Sequence, residues 1–202
     1  MKDSTKKIFE ALFFDYSDLK SVEADIVSAH ELLMECYKNK KKTLVCGNGG
    51  SAADCEHIVG ELMKGFLLNR PVLPTIAGLE KLQATLRSIS LVSQTSLITA
   101  VANDIGAEYI FAQQVLGYAD PGDVLIALST SGNAENVCYA ASTARSLGCG
   151  TLAITGQNGG KLGGICDCAI KLPATKTYKI QELTLPLYHA LCAALENEFF
   201  EE

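Results

Sequence analysis

The pattern of apolar positions divides the chain into helices at both ends and short buried segments between them. In the first forty residues apolar side chains recur at helical spacing from Ile8 to Leu33, before the run Lys38-Asn-Lys-Lys-Lys42, which predicts two helices. The segment from about Gln181 to Phe200 is apolar around much of a helical circumference. We therefore expect this last helix to be buried against the domain or against another subunit.

Six short apolar runs between these helices look like buried strands, and helical patterns separate most of them. The runs span residues 43–46, 72–77, 97–101, 124–128, 151–155 and 169–172. Such alternation predicts an α/β fold with a mostly parallel sheet covered by helices on both faces, which binds ligands at the carboxyl ends of its strands. Segment 79–95 has leucines and isoleucines at helical spacing and predicts an additional helix or helical loop.

Composition and charge narrow the class of protein. With 202 residues, 48% of them hydrophobic, the chain can bury a full core, and its length predicts a single domain over residues 1–202. A net charge of -6 gives no attraction for nucleic acid or for an anionic membrane. We expect a cytoplasmic protein, because the chain shows neither a signal peptide nor an apolar run of the roughly 18 to 20 residues that span a membrane. The eight scattered cysteines predict reduced core thiols.

A glycine-rich loop, Cys46-Gly-Asn-Gly-Gly-Ser51, follows the first predicted strand and opens a helix. Its glycines let a bound group approach the backbone closely. Amides at the helix N-terminus, assisted by the hydroxyl of Ser51, are suited to hold a phosphate or a sugar oxygen. A glycine-rich turn without a ligand is the alternative.

The same loop also fits the loose dinucleotide-binding pattern, through Gly47, Gly49 and Ala52. Dinucleotide binding requires an acidic residue at the end of the second strand to grip the ribose. The predicted second strand ends in Ala77-Gly78 instead, which argues against a dinucleotide.

A hydroxyl-rich loop, Ser129-Thr-Ser-Gly-Asn133, continues the predicted strand over 124–128 and precedes a helix over 134–147. Three hydroxyls beside a helix N-terminus suit a phosphate monoester that must be released after turnover, since a tight cationic clamp would hold the product too long. Helix capping alone accounts for one of these residues but hardly for four in a row.

Only three histidines occur, so their placement is informative. His57 and Glu61 are four residues apart on the helix that the glycine-rich loop opens, which puts both side chains on one face. An imidazole and a carboxylate so placed can share a zinc ion, although a surface ion pair has the same spacing. His30 lies in the apolar pattern of the second helix and is predicted to be structural.

His189 and Gln181 lie eight residues apart on the last helix. They are separated by about 12 Å along an ideal axis and about 80° around it, so one straight helix cannot bring both to one ion. Either Pro186 kinks or breaks the helix, or two copies of the chain build each site. We favour two copies, which predicts an oligomer with active sites between subunits.

Together these motifs resemble the sugar-isomerase (SIS) domain family and, within it, the bacterial phosphoheptose isomerases. The resemblance covers most of the chain and is carried by Gly47-Asn-Gly-Gly-Ser51, His57 with Glu61, Asn103-Asp104, Ser129-Thr-Ser-Gly-Asn133, Thr155-Gly156 with Gly159-Gly160-Lys161, and Ile180-Gln-Glu182 with His189. It implies a three-layer SIS sandwich with a five-stranded, mostly parallel sheet. It also implies a homotetramer in which residues 1–42 pack as helices between subunits.

The activity that the resemblance implies is aldose–ketose isomerisation of sedoheptulose 7-phosphate to D-glycero-D-manno-heptose 7-phosphate, a precursor of lipopolysaccharide or capsule, through a zinc-assisted enediol. One zinc ion per subunit would be bound by His57, Glu61, Gln181 and His189, with Glu61 and His189 as base and acid. The implied substrate contacts are Asn48, Gly49, Gly50, Ser51, Glu61, Asn103, Asp104, Ser129, Thr130, Ser131, Asn133 and Gln181.

Three departures from the family pattern leave the substrate open. Ala134 replaces a usual serine, Tyr178 an acidic residue and Gly65 an arginine. Two rival functions follow: an isomerase of another ketose phosphate, or a non-catalytic SIS protein that binds phosphosugars or serves in assembly, like one that binds the bacterial replication initiator. The non-catalytic relatives lack the complete set of metal ligands, whereas this chain retains all four.

Overall fold

A computed structural model of the chain describes residues 1–72 and 74–201, in which strands and helices alternate. The helices are α1 (Asp3–Asp15), α2 (Glu23–Lys38), α3 (Gly50–Met63), α4 (Thr95–Asp104), α5 (Ile110–Tyr118), α6 (Glu135–Ser146), α7 (Leu162–Ile165) and α8 (Thr177–Phe200). The strands are β1 (Thr43–Gly47), β2 (Ser88–Ser90), β3 (Val124–Ser129), β4 (Gly150–Gly156) and β5 (Cys168–Leu172). Short 3-10 helices cover Ser17–Val22 and Ala107–Tyr109.

The five strands form one parallel sheet in the order β2-β1-β3-β4-β5. Chain order reverses between β1 and β3, which pair along their length from Thr43 with Val124 to Gly47 with Leu128. A parallel sheet places its ligands outside the carboxyl ends of the strands, at the point where the order reverses. The predicted α/β fold is therefore confirmed, and it locates a crevice after β1 and β3.

Alternating side chains of each strand enter two separate cores, one on each face of the sheet. Val45 and Ile126 pack in the core formed with α1, α2, α3 and α8. Their neighbours Leu44 and Leu125 pack in the core formed with α5 and α6. Because both faces are covered, the strands are apolar almost throughout, and the molecule has three layers.

Two of the six predicted strands do not form. The run 97–101 lies inside α4, where Leu97 and Val101 stand one turn apart and Val101 is buried; a short apolar run does not distinguish a buried strand from a helix. In the run 72–77, the described residues lie outside any strand, and Leu73 lies outside the described residues. Pro71 and Pro74 interrupt this stretch, since proline has no amide to donate to a ladder.

Segment 79–95 was predicted to be helical, and this prediction is wrong. Its residues 88–90 form β2, which pairs with β1 and supplies the fifth strand of the sheet. The leucines that suggested a helix include Leu86 and Leu91, which are buried on either side of this short edge strand. The actual second strand, β2, ends at Ser90 and not in a carboxylate. The argument against dinucleotide binding therefore rests on Ser90 instead of Ala77-Gly78.

The terminal helices match their prediction. α1 and α2 precede the sheet, and α8 is largely buried, running unbroken through Pro186. The Asn197 amide on α8 donates hydrogen bonds to Ser4 and Thr5 on α1, at 2.8 Å and 2.9 Å. All eight cysteines are free thiols, as predicted. Among the described residues, no helix has the length and apolarity needed to cross a membrane.

Candidate active site

The two predicted anion-binding loops meet in one cleft at the carboxyl ends of β1 and β3. The cleft has a volume of about 360 Å³. Its lining combines glycines, hydroxyls and amides: Asn48, Gly49, Gly50, Ser51, Leu128, Ser129, Thr130, Ser131, Ala134, Thr177 and Gln181. Arginine and lysine are absent from this lining, so an anion here would be held by neutral donors, as the sequence predicts.

Contacts between loops fix the shape of the cleft. Gly49 turns the chain into α3 with φ +58°, a conformation that favours glycine. The side-chain amides of Asn48 and Asn136 donate to each other's oxygens, at 2.9 Å and 3.0 Å, and so join the first loop to the start of α6. The Ser51 amide bonds back to the Asn48 carbonyl at 3.1 Å, which leaves the Ser51 hydroxyl as its donor to a ligand. Sequence reasoning missed Asn136 because the link joins distant segments of the chain.

Asn133 supports the second loop from behind. Its side-chain amide donates to the Ser131 carbonyl at 3.0 Å, and its oxygen accepts the Lys161 amide at 3.1 Å. Gly132, with φ +66°, packs so closely on the Gly159 carbonyl that a Cβ has no room. Asn133, predicted to contact substrate, is therefore occupied in holding the loop against residues 159–161.

His57, Glu61 and His189 converge beside this cleft within a single chain. The Nε2 atom of His57 lies 3.2 Å from a Glu61 carboxylate oxygen and 3.3 Å from Nε2 of His189. α3 and α8 meet along their length, since Gly50 faces Gln181 near their starts and His57 faces His189 further on. The helical spacing predicted that His57 and Glu61 lie together, and the packing of α8 against α3 brings His189 to them.

The donor spacing can be tested against a zinc ion. Ligand atoms about 2.0–2.1 Å from a tetrahedral zinc ion stand about 3.3 Å from each other, and the two distances at His57 Nε2 match that edge. Across residues 1–72 and 74–201, however, no group of three or more His, Cys, Asp and Glu side chains is placed so that it could hold a metal ion as it stands. The three side chains thus suit zinc in their chemistry and in two of their three pair spacings, and they would have to shift to share one ion.

Gln181 lies apart from these three side chains. Its amide covers Gly50, with Nε2 only 2.5 Å from where a Cβ on Gly50 would stand, and it lines the cleft with the hydroxyl loop. The convergence of His57, Glu61 and His189 therefore requires no second copy of the chain. That Gln181 serves as the fourth ligand stays a prediction.

Burial and neighbouring charges set the protonation of this cluster. Partial burial, with nearby His57, lowers the pKa of His189, which favours a neutral ring with a free lone pair. Burial raises the pKa of Asp54, and burial with the Asp54 charge raises that of Tyr188 well above its usual value. Lys64 lies 3.2 Å from the second oxygen of Glu61, so the carboxylate faces a cation on one side and imidazole on the other.

Asp54 and Tyr188 are functional candidates that sequence reasoning missed. The Tyr188 hydroxyl lies 2.9 Å from Nδ1 of His57 and donates to Asp54 at 3.3 Å. Their only sequence signal is proximity to predicted ligands: Asp54 lies three residues before His57 on α3, and Tyr188 directly precedes His189.

Asn103 and Asp104 lie outside the cleft lining. They stand exposed at the carboxyl end of α4, where the Asn103 amide donates to Asp104 at 2.7 Å. Within one chain they do not meet the phosphate loops, so their predicted contact with substrate stays a prediction.

The three departures from the family pattern occupy different environments. Ala134 lines the cleft, whereas Tyr178 is exposed near the start of α8. Gly65 follows α3 and donates its amide to Gln83 at 2.8 Å. A Cβ at position 65 would meet the Leu68 carbonyl at 2.5 Å, so this turn is built for glycine rather than arginine.

Comparison with known proteins agrees with this fold. The SIS domain family profile matches residues 17–156, more than half of the chain. A phosphoheptose isomerase from Nitratiruptor sp. is 42% identical over 174 residues, 86% of this chain and 86% of that protein.

Two solved structures support the same relationship. A phosphoheptose isomerase from Neisseria gonorrhoeae is 33% identical with a TM-score of 0.77, covering 94% of this chain and 95% of its own. One from Francisella tularensis is 28% identical with a TM-score of 0.80, covering 98% of this chain and 100% of its own. The chain therefore belongs to the SIS domain family and, within it, to the phosphoheptose isomerases.

Proposed function

We propose that this enzyme, an aldose–ketose isomerase by family, converts sedoheptulose 7-phosphate to D-glycero-D-manno-heptose 7-phosphate with the help of a zinc ion. The observation that carries the proposal is the convergence of His57, Glu61 and His189 beside a cleft of neutral anion donors. Such a product belongs to heptose biosynthesis, with lipopolysaccharide or capsule as its destination.

The cleft suits the phosphate end of the substrate. The cleft is lined by four hydroxyls and by the N-terminus of α3, and each can donate to a phosphate oxygen. The hydroxyls are those of Ser51, Ser129, Thr130 and Ser131. Because these donors carry no full positive charge, the product can leave after each turnover. The cluster at His57 would then lie beside the sugar carbons rather than at the phosphate.

Glu61 and His189 would move the proton. In our mechanism the Glu61 carboxylate removes the proton from the carbon beside the carbonyl, and His189 exchanges a proton with the neighbouring oxygen or carbon of the resulting enediol. His57, Glu61, His189 and Gln181 would hold the zinc ion, which supplies a Lewis acid for the sugar oxygens. The lowered pKa of His189 favours the neutral ring that metal binding requires.

The first test replaces the proposed base. Glu61→Gln should abolish turnover by more than about 1,000-fold, given the usual worth of a general base, and leave binding of the phosphosugar intact. Glu56→Gln is the matched control, because Glu56 lies on the same helix but its carboxylate accepts the Ser93 hydroxyl at 2.8 Å instead. Undiminished activity of Glu61→Gln would exclude Glu61 as the base.

A second test separates substrates and mechanisms. A panel of ketose phosphates of different chain length is incubated with the protein in D2O, and NMR follows aldose formation. We expect turnover of the seven-carbon substrate, with deuterium at the carbon beside the carbonyl, because an enediol exchanges its proton with solvent. Faster turnover of a shorter ketose phosphate would reassign the substrate, and product free of deuterium would mean either that a shielded base returns the same proton or that a hydride moves instead.

We also propose that the chain works as a cytoplasmic homotetramer. Phe14 on α1 is 88% exposed and Leu185 on α8 is 41% exposed. A groove between these two helices, lined in part by Tyr16, Pro186 and His189, continues to the metal-ligand cluster. An apolar face that reaches a catalytic side chain favours cover by another copy of the chain, which would also bring further residues to the site.

A further inference from the structure

Tyr188 combines a buried ring with a hydroxyl that reaches the metal-ligand cluster. The residue is 2% exposed, and its ring packs in the core with Ile58, Leu62 and Leu191. The hydroxyl lies 2.9 Å from Nδ1 of His57 and 3.3 Å from a carboxylate oxygen of Asp54. A side chain held this firmly by the core places its hydroxyl at a fixed point beside the imidazole.

The protons available decide which group donates in each hydrogen bond between Asp54, Tyr188 and His57. The tyrosine hydroxyl has one proton to donate, and an ionised carboxylate can only accept. The Tyr188 proton therefore belongs to Asp54, which leaves the phenol oxygen to accept from Nδ1 of His57. An imidazole that donates from Nδ1 has its lone pair on Nε2, and in His57 that atom is the one facing Glu61 and His189.

We propose that Tyr188, oriented by Asp54, is a positioning residue that fixes the tautomer and the ring orientation of His57 for metal binding. The inference rests on the proposed function, because it assigns Nε2 of His57 to a zinc ion. Outer-sphere partners of this kind raise the basicity of a ligating histidine and restrict its rotation.

Two geometric details indicate that Asp54 acts on His57 through Tyr188 rather than directly. Asp54 and His57 lie three residues apart on α3, yet the carboxylate meets the tyrosine hydroxyl rather than the imidazole. The rings of His57 and Tyr188 meet edge to face, with centroids 5.4 Å apart at 71°. The tyrosine thus restrains the imidazole through its ring as well as through its hydroxyl.

The experiment measures zinc affinity of the full chain by competition with a chromogenic chelator, independently of turnover. We expect Tyr188→Phe to weaken zinc binding by about 10-fold to 100-fold, the usual effect of losing an outer-sphere partner. Asp54→Ala should weaken it as well, but only while Tyr188 is present. In the Tyr188→Phe background the same Asp54→Ala change should have little further effect, because both residues act through one hydroxyl.

Tyr37→Phe is the matched control. Tyr37 is buried, and its hydroxyl bonds Thr43 at 2.9 Å at the amino end of β1, opposite the cleft. It should lose stability like Tyr188→Phe and keep its zinc affinity. Equal zinc affinity of Tyr188→Phe and the unchanged protein would overturn the positioning role, and so would additive losses for Asp54 and Tyr188. If the unchanged protein binds no zinc, the metal in the proposed function fails instead.

Discussion

At the scale of single residues, the three histidines show how surroundings decide chemistry. His57 and His189 sit partly exposed among polar groups, whereas His30 is 2% exposed with its ring against the edge of Phe9. Neither ring nitrogen of His30 has a hydrogen-bond partner among the described residues. Burial without partners makes His30 a structural residue, as its place in the apolar pattern predicts, and a costly one.

His30 should make the protein acid-sensitive. Burial lowers its pKa in the folded state, so below about pH 6.5, the ordinary histidine value, the unfolded chain binds a proton that the folded chain refuses. Stability then falls with decreasing pH, by at most about 1.4 kcal/mol per pH unit from this group. His30→Leu should remove this contribution and at least preserve stability at pH 7.5.

Urea unfolding at pH 7.5, 6.5 and 5.5, with a chelator present, measures the effect. The difference between His30→Leu and the unchanged protein cancels every other titrating group. That difference should grow in favour of the leucine variant as the pH falls. A difference that is the same at all three pH values would show that His30 does not resist protonation.

At the scale of elements, the sequence predicted those whose local pattern agrees with their final packing. β1, β3 and β4 are short apolar runs buried almost throughout, and β5 is an edge strand that still buries Ile170 and Leu172. α4 and β2 were misassigned because the apolar run 97–101 has no period that excludes a strand, and β2 is an edge strand of only three residues. In both segments the contacts with neighbouring segments decide between helix and strand, and no local pattern records those contacts.

The site divides in the same way. Spacing alone paired His57 with Glu61, because both stand on one helix. The meeting of His57 with His189 depends on how α3 packs beside α8, and the position of Gln181 above Gly50 depends on it too. Asp54 and Tyr188 lay beside known candidates in the sequence, but their link needs the fold.

Two glycines of α3 give a prediction for this element. Gly50→Ala adds a methyl group toward the Gln181 amide, which must move away at the mouth of the cleft, so it should weaken phosphosugar binding. Gly60→Ala meets no atom within 4 Å. It should raise stability by about 0.5–1 kcal/mol, the helix preference of alanine over glycine, and leave binding unchanged.

Calorimetric titration with the sugar phosphate and thermal unfolding distinguish the two glycine variants. If Gly50→Ala binds the ligand as well as Gly60→Ala does, the backbone at Gly50 does not approach the phosphate. Gly60→Ala also shows whether any alanine in α3 disturbs the site through the helix itself.

At the scale of the whole molecule, a single chain leaves both an apolar face and the proposed catalytic site exposed to solvent. Phe14 projects from α1 with 88% of its surface exposed, and a groove between α1 and α8 is lined in part by Tyr16 and His189. Asn103 and Asp104 project from the exposed end of α4, away from the cleft lining of their own chain. Association of copies would bury the apolar face of α1. It would also let Asn103 and Asp104 reach a ligand bound in the cleft of a neighbouring copy.

Phe14 allows this association to be tested at one position. Phe14→Asp places a charge on the apolar face and should convert the proposed homotetramer to smaller species, because burying an unpaired carboxylate is costly. Phe14→Leu keeps the face apolar and should retain the tetramer. Light scattering coupled to size exclusion gives the masses, and activity is measured on the same fractions. Both variants should fold, since an 88% exposed side chain contributes little to the core of its own chain.

Two results would contradict the proposal: an unchanged protein with the mass of one chain, or a Phe14→Asp variant that remains a full tetramer. If the smaller species keep full activity, the assembly exists but each chain carries a complete site, and the contacts of Asn103 and Asp104 with substrate would then be wrong.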